Sequence, residues 1–573
     1  MGFRISLKSS SFPKIRLKKD APAATATPMG FIGMPPSPQE THTRRGTPSA
    51  EFKALIDNGI NVPVIATYKQ EEQEVQEGDF KELKYPLTFP NFAAGVPVYV
   101  HISYDTASKE MVYRVIEPEI NEHEKKMIQN IKDYIQEKVD INFSEVRNTN
   151  VEGYMEKSVR RAISYFGYAL SEEKKAVLKY YVFRDFIGME RVEPLLADKN
   201  IEDISCDGEG IYIYVYHRNP KIGSIRTNIK FDSTIELDSF ANRLSERCGK
   251  TISISHPLLD GTLPDGSRVQ ATLGGDIARR GSNFTIRMFT DKPLTPVDLI
   301  GYGTCDTTML AYAWFVLEYG KSFLMSGGTA TGKTSFLNVL SLFINPQMKI
   351  VSIEDTAELR LPHAHWVPEV ARVAVDETGT QVDMFSLLKE SLRQRPDYII
   401  VGEVRGKEAY VLFQQMAVGH PGLSTVHAED FNKLVDRLTS EPIGLPAYLL
   451  QNLDVIIFIK RVKKGKKYIR RVSSLVEVIG FNEDSKAPVM DELITWDARN
   501  DKYVVGNKSV LLRKIADSVG ISPDDIRREI EKRGRIINWM LERGIKDYRE
   551  VGAVIDAFYT SPEGLLAKIE GEA

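Results

Sequence analysis

The chain has 573 residues, 42% hydrophobic and 27% charged, with a formal net charge of −3. That composition is ordinary for a globular protein of about four domains, and the near-neutral charge speaks against a protein that coats nucleic acid. Three widely spaced cysteines, Cys206, Cys248 and Cys305, exclude a disulfide framework and a four-cysteine zinc site, and the best apolar stretch, Ala311 to Leu317, is far too short to span a membrane.

Residues 1–50 are rich in Pro, Ala, Thr and Ser and show no apolar period, so they read as a disordered basic tail. Its first nineteen residues hold Arg4, Lys8, Lys14, Arg16, Lys18 and Lys19 without an acid, and these cations interrupt any secretory apolar segment. Residues 51–120 read as a small β-rich module, with strands at Val98–Ile102 and Met111–Ile116 around an Asp105–Ser108 turn. A helical region over 121–200 follows, where Met127, Ile128, Ile131, Tyr134, Ile135 and Val139 recur at helical spacing and Ser171 opens another helix. Residues 201–292 mix strands, at Ile211–Tyr216 and Phe284–Phe289, with a helix over Ser239–Cys248. Lys292–Pro296 has linker composition and marks a domain boundary.

From 293 to 482 strands and helices alternate, which predicts a parallel sheet with crossover helices. Asp454–Lys460 and Tyr468–Phe481 flank a turn at Lys463–Lys466 and read as a hairpin; the stretch from Lys460 to Arg471 holds eight Lys/Arg and no acid. Residues 483–573 read as a C-terminal helical region, with Pro523 at a helix start and Gly544 at a break.

The strongest chemical signal is Gly327-Gly328-Thr329-Ala330-Thr331-Gly332-Lys333-Thr334, which matches G-x-x-x-x-G-K-[ST] between a short apolar strand and a helix that begins at Ser335. Such a loop turns backbone N–H groups around phosphate oxygens, and the following helix adds its positive end. Lys333 is placed to pair with the β- and γ-phosphates, and Thr334 to hold Mg²⁺ through its hydroxyl. Three other apolar runs end in groups suited to nucleotide chemistry. Tyr398–Val401 leads through Gly402 to Glu403, Ile350–Ile353 leads to Glu354, and Leu423–Val426 leads to His427. At the carboxyl edge of a parallel sheet these groups face one crevice. Glu403 then polarises the attacking water or holds the metal, Glu354 orients water or metal, and His427 senses the γ-phosphate.

With these residues assembled, the chain resembles the secretion ATPases that power type II secretion, type IV pili and the archaellum. Their Walker A, Asp box, Walker B and His box correspond here to the phosphate loop, to Ile353-Glu354-Asp355, to the segment from Leu392 to Gly406, and to the segment from Gly419 to His427. A Glu where other P-loop enzymes carry the Walker B Asp is this family's habit. Bacterial type II and pilus members carry a four-cysteine zinc module after the His box; no cysteine follows Cys305 here, so the likeness is to the archaeal branch. The resemblance implies an α/β fold, a RecA-like P-loop motor domain behind an N-terminal PAS-like α/β domain, with helical N- and C-terminal extensions. It further implies ATP and Mg²⁺ as ligands, a homo-hexameric ring, and a cytoplasmic location at the membrane surface, where a polytopic platform protein receives the force. It also implies that Arg268 and Arg287, from the N-terminal domain, reach the nucleotide, where guanidinium neutralises charge on the transferred phosphoryl group. The competing reading of a RecA or helicase-type nucleic-acid motor expects a basic, aromatic-lined channel, for which the overall charge offers little. His363-Ala364-His365 places two imidazoles on one strand face with no third metal ligand nearby.

Overall fold

Alternating residues build the first sheet. In Tyr212–His217 the sequence YIYVYH buries Ile213 and Val215 and turns Tyr214 and Tyr216 outward. The computed structural model describes residues 50–68, 82–89, 96–138, 151–219, 222–289, 292–372, 382–464, 467–484 and 486–572. The basic tail, Val139 and the hairpin tip at 465–466 lie outside them.

Nine strands form this sheet: β1 (Glu82–Pro86), β2 (Tyr99–Asp105), β3 (Glu110–Ile116), β4 (Ile201–Cys206), β5 (Tyr212–His217), β6 (Gly223–Lys230), β7 (Leu258–Thr262), β8 (Arg268–Thr272) and β9 (Asn283–Arg287). Their order is β1-β2-β3-β6-β5-β4-β9-β8-β7, antiparallel except where β3 meets β6. The helices Glu122–Lys138, Val151–Tyr165, Glu172–Phe186 and Thr234–Arg247 contribute to its core. Ser171 caps the third of these by accepting from the Lys174 N–H.

The strands expected as a separate module over 51–120 do not close on themselves. The outer edge of β3 stays open for pairing, and it is taken by β6 at Val112↔Arg226 and Tyr113↔Thr227. The Asn228 side chain bonds both the N–H and the carbonyl of Val115, at 2.9 and 3.0 Å. Residues 50–68 instead join the second core: Ile60 and Ser509 exchange backbone bonds of 2.9 and 2.8 Å, and the Ile65 N–H donates to Thr308 Oγ1 at 2.8 Å.

The second sheet contains β10 (Phe323–Gly327), β11 (Ile350–Glu354), β12 (Trp366–Val370), β13 (Tyr398–Val401), β14 (Gly422–Val426), β15 (Val455–Lys464), β16 (Lys467–Asn482), β17 (Ala487–Asp497) and β18 (Lys502–Val505). The order is β12-β11-β13-β14-β10-β15-β16-β17-β18. From β12 to β15 the strands are parallel, the RecA-like arrangement, and the rest is antiparallel. Every residue of β10, β11, β13 and β14 is buried, as expected of parallel strands covered on both faces. The all-helical reading of 483–573 fails at its start: β17 and β18 extend this sheet. Acids interleaved among Val489, Leu493 and Ile494 hid the strand, whose buried positions are set by pairing with β16 rather than by strict alternation. Helices occupy Val510–Val519, Pro523–Arg543, Tyr548–Thr560 and Pro562–Glu572. The helix beginning at Pro523 is capped by Ser522 and stopped by Gly544.

The apolar stretch at Ala311–Leu317 lies in a helix, Thr307–Glu318, that is buried from Thr307 through Leu317. A helix apolar all round belongs at the centre of a large core. Trp314 stacks on Phe343 at 5.0 Å and meets Phe558 edge-on at 5.0 Å. Among the described residues no helix is long and apolar enough to cross a membrane.

Arg533 locks the C-terminal helices onto this core. It is 2% exposed, ion-paired with Glu529 at 3.0 Å and with Glu318. Its guanidinium lies 4.7 Å from the Phe558 ring centroid. Arg533→Leu leaves Glu318 without its cation and Glu529 with Lys532 alone, so we expect a loss of about 3 kcal/mol and a melting temperature roughly 3–6 °C lower. Scanning calorimetry checks this; a shift below 2 °C makes the guanidinium dispensable.

Candidate active site

The phosphate loop leaves β10 at Gly327 and enters the helix Lys333–Leu342. Two glycines are required by its geometry. A Cβ on Gly327 would sit 2.4 Å from the Ile459 carbonyl oxygen and 2.8 Å from Thr331 Oγ1, and Gly332 caps the helix at φ +90°. Thr331 is buried and its hydroxyl donates to the Gly328 carbonyl at 3.0 Å. Lys333 folds back across the loop, its Nζ donating to the same carbonyl at 2.9 Å. Burial lowers the Lys333 pKa, and the nearby Glu403 carboxylate opposes that shift. A desolvated ammonium whose only bonded partner among the described residues is a backbone carbonyl, at the N-terminus of a ten-residue helix, suits a phosphate. Thr334 and Ser335 follow in the first turn, both half-buried.

β11, β13 and β14 end beside this loop and carry the other predicted groups. Glu354, the last residue of β11, is buried, and its Oε1 accepts from the Glu358 and Leu359 N–H groups at 3.0 and 3.1 Å. Burial pushes its carboxyl up to about 7. Gly402, just past β13, leaves room for it: a Cβ there would lie 3.3 Å from Glu354 Cγ. Glu403 is pinned through its backbone neighbours, since the Gly402 N–H donates to Ile353 O and the Val404 N–H to Thr425 O, both at 2.9 Å. His427, just past β14, joins its Nε2 to Thr329 Oγ1 at 2.8 Å. The structure thus brings Glu354, Glu403, His427 and the loop Gly327–Thr334 to the carboxyl edge of one sheet.

Arg268 and Arg287 stand opposite each other in the β8–β9 ladder, and Arg287 Nε lies 3.8 Å from Asp203 Oδ1. Among the described residues neither guanidinium bonds the phosphate loop. A path of contacts does run from their strands toward it. The Phe289 N–H donates to Ser267 Oγ at 3.0 Å, the Arg360 guanidinium lies 4.3 Å from the Phe289 ring centroid, and the Arg360 N–H donates to Asn338 Oδ1, in the helix that follows the loop, at 2.8 Å.

Sequence reasoning missed three groups. Arg405 donates to Glu403 Oε2 at 2.8 Å and lies 3.3 Å from Asp355 Oδ2; its place two residues after Glu403 was the available signal. Thr425 donates its hydroxyl to Gly402 O at 2.8 Å, tying β14 to β13. Arg470, far away in sequence, donates from Nε to the Ala330 carbonyl at 3.1 Å, and nothing local in the sequence indicates it. The imidazole of His363 is buried and bonded to the Ile344 carbonyl at 2.8 Å. Among the described residues no group of three or more metal-capable side chains forms.

Residues 188–484 match the type II/IV secretion system protein family, and residues 500–573 match the PilB3-like C-terminal family. The chain belongs to the type II/IV secretion system protein family. The likeness read from its Walker and His boxes is therefore a family relationship. An uncharacterized protein of Methanocaldococcus jannaschii, MJ0900, is 38% identical over 84% of this chain and 90% of its own length. The conjugal transfer protein TrbB of Rhizobium radiobacter is 32% identical over 40% of this chain and 70% of its own. Among solved structures, the ATPase DotB of Legionella pneumophila aligns over 64% of this chain and 95% of its own at 16% identity, with a TM-score of 0.37.

Glu354 yields a pH test for this family member. The folded chain holds the Glu354 proton up to about pH 7, against an ordinary value of 4.5. The folded state therefore binds more protons between those values, and stability falls as pH rises from about 4.5 to 7, by about 3 kcal/mol at 1.4 kcal/mol per unit. Glu354→Gln keeps the Oε1 acceptor and removes the titration. Its melting temperature relative to the parent should climb between pH 5 and pH 8; a constant offset shows that Glu354 titrates normally.

Proposed function

We propose that this protein is a motor ATPase: Mg-ATP hydrolysis moves its domains, and a homo-hexameric ring of them powers assembly of a type IV pilus-like filament, an archaellum or a secretion machine. What carries the reading is the convergence of the phosphate loop with Glu403, Glu354 and His427, including the bond from His427 to Thr329. Residues Gly327 to Thr331 with Gly332 offer the backbone cradle, Lys333 pairs with the β- and γ-phosphates, and Ser335 extends the first turn beneath them. Thr334 is the hydroxyl that would hold Mg²⁺, which when bound neutralises charge on the β- and γ-oxygens. Glu403 positions the attacking water, Glu354 orients the loop that faces it through the Glu358 and Leu359 N–H groups, and His427 donates to the terminal phosphate. Arg268 and Arg287 reach the nucleotide in the assembled ring and neutralise the transferred group. The partner that receives the force is a polytopic platform protein of the cytoplasmic membrane, with the ATPase bound to it from the cytoplasm; nucleic acid is not the substrate.

Lys333→Ala should abolish hydrolysis and weaken nucleotide binding, whereas Glu403→Gln should bind ATP at near-parent affinity and lose at least about 100-fold in turnover, since shape is kept and the carboxylate lost. Phosphate-release assays with and without single- and double-stranded DNA check both. Parent-level turnover in either variant removes that residue from the site, and strong stimulation by DNA supports a nucleic-acid motor instead.

Arg268→Ala and Arg287→Ala should each cut turnover while moving the melting temperature by no more than a few degrees, because both residues lie at the protein surface or partly exposed. Unchanged turnover in both variants excludes them from the reaction.

A further inference from the structure

Beyond the pairing of β15 with β10, the basic hairpin formed by β15 and β16 reaches the phosphate loop through Arg470. Arg461 stands opposite Arg470, and Lys463 opposite Tyr468, so these four share one face. Arg461 packs its guanidinium 4.1 Å from the Tyr468 ring centroid. Arg470 turns to the loop: its Nε donates to the Ala330 carbonyl at 3.1 Å, and its Cδ lies 3.5 Å from where a Cβ on Gly332 would stand.

Ala330 has φ +58°, a left-handed conformation that a residue with a Cβ rarely adopts. Something must hold it there. In a trans peptide the carbonyl and the following N–H point in opposite directions. Holding the Ala330 carbonyl outward on Arg470 therefore turns the Thr331 N–H inward, toward the space that phosphate oxygens would fill. The flipped peptide would aim a carbonyl oxygen at those anions. Thr331 is fastened on its other side by its hydroxyl bond to Gly328, so the Ala330–Thr331 peptide is held from both ends.

We propose that Arg470 is a positioning residue for nucleotide: from the basic hairpin it holds the Ala330–Thr331 peptide in the orientation that offers an N–H to the phosphates. This rests on the ATPase reading above and names a residue outside the Walker and His boxes that sets affinity for the substrate. Arg470 acts on the loop, so it governs how tightly Mg-ATP binds and leaves the chemical step to Glu403.

The test uses the full chain with Mg-ATP. Arg470→Ala should raise the Kd about tenfold, equivalent to 1.4 kcal/mol at 25 °C, and raise KM in step, with kcat at saturation within about twofold of the parent. Arg470→Lys should recover part of the affinity, since an ammonium can still donate to the carbonyl. Adding Ala330→Gly to Arg470→Ala should bring Kd back to within about threefold of the parent, because glycine takes a positive φ without help. Parent-level affinity in Arg470→Ala overturns the proposal. So does a loss that Ala330→Gly leaves untouched, which would mean that Arg470 binds the nucleotide directly. A parent protein that binds no Mg-ATP overturns the ATPase reading itself, and this proposal with it.

Discussion

The site depends on the burial of β10 between two parallel neighbours, β14 and β15. A strand paired on both edges and covered on both faces cannot slip, because a one-residue shift would turn its apolar set over and break two ladders at once. The loop that leaves β10 at Gly327 is therefore delivered to one place. Because β11, β13 and β14 run parallel to it, their final residues arrive at the same edge. Glu354, Glu403 and His427 are separated by 49 and 24 positions in the chain, and parallel register brings them together.

The loop is fitted from outside as well as from within. Gly327 has no room for a side chain because the Ile459 carbonyl of β15 lies against it, and Arg470 of β16 holds the Ala330 carbonyl. The hairpin thus forms one wall of the phosphate loop, and its charge is partly explained by that task. Arg471, its neighbour, is spent differently: it bonds Asp501 and the Tyr302 carbonyl, and the strong pairing holds the Asp501 carboxyl far below the usual range. Two adjacent arginines therefore serve two purposes, one joining β16 to Asp501 and Tyr302 and the other joining it to the loop.

Buried charge fastens the C-terminal helices to the motor sheet. Glu477 of β16 accepts from the Tyr312 hydroxyl and from the Val510 and Leu511 N–H groups. It caps a helix from within a strand, although burial raises its pKa. Arg533 does the corresponding work on the far side of the central helix, between Glu318 and Glu529. Such pairs add little net stability over an apolar equivalent, and losing one partner is costly. Between them they tie the central helix to β16 and to the C-terminal helices at fixed points.

Local sequence determined the phosphate loop, the strand ends that carry Glu354, Glu403 and His427, the cap at Ser171, and the helix start at Pro523 and stop at Gly544, because each is a matter of a few neighbouring residues and a period. The boxes built on these residues also carry the resemblance to the secretion ATPases, since each box is a run of neighbouring residues. Tertiary structure alone decided the rest. The strands near the start of the chain join the sheet built from residues 201–287, while residues 50–68 join the core at the opposite end of the chain. Val489, Leu493 and Ile494 become part of a strand only because β16 offers an edge to pair with. The grip of Arg470 on Ala330 spans 140 positions. No propensity or periodicity encodes such contacts: they are fixed by which open edges and apolar faces remain after the local elements have formed, and that is a property of the whole packed chain.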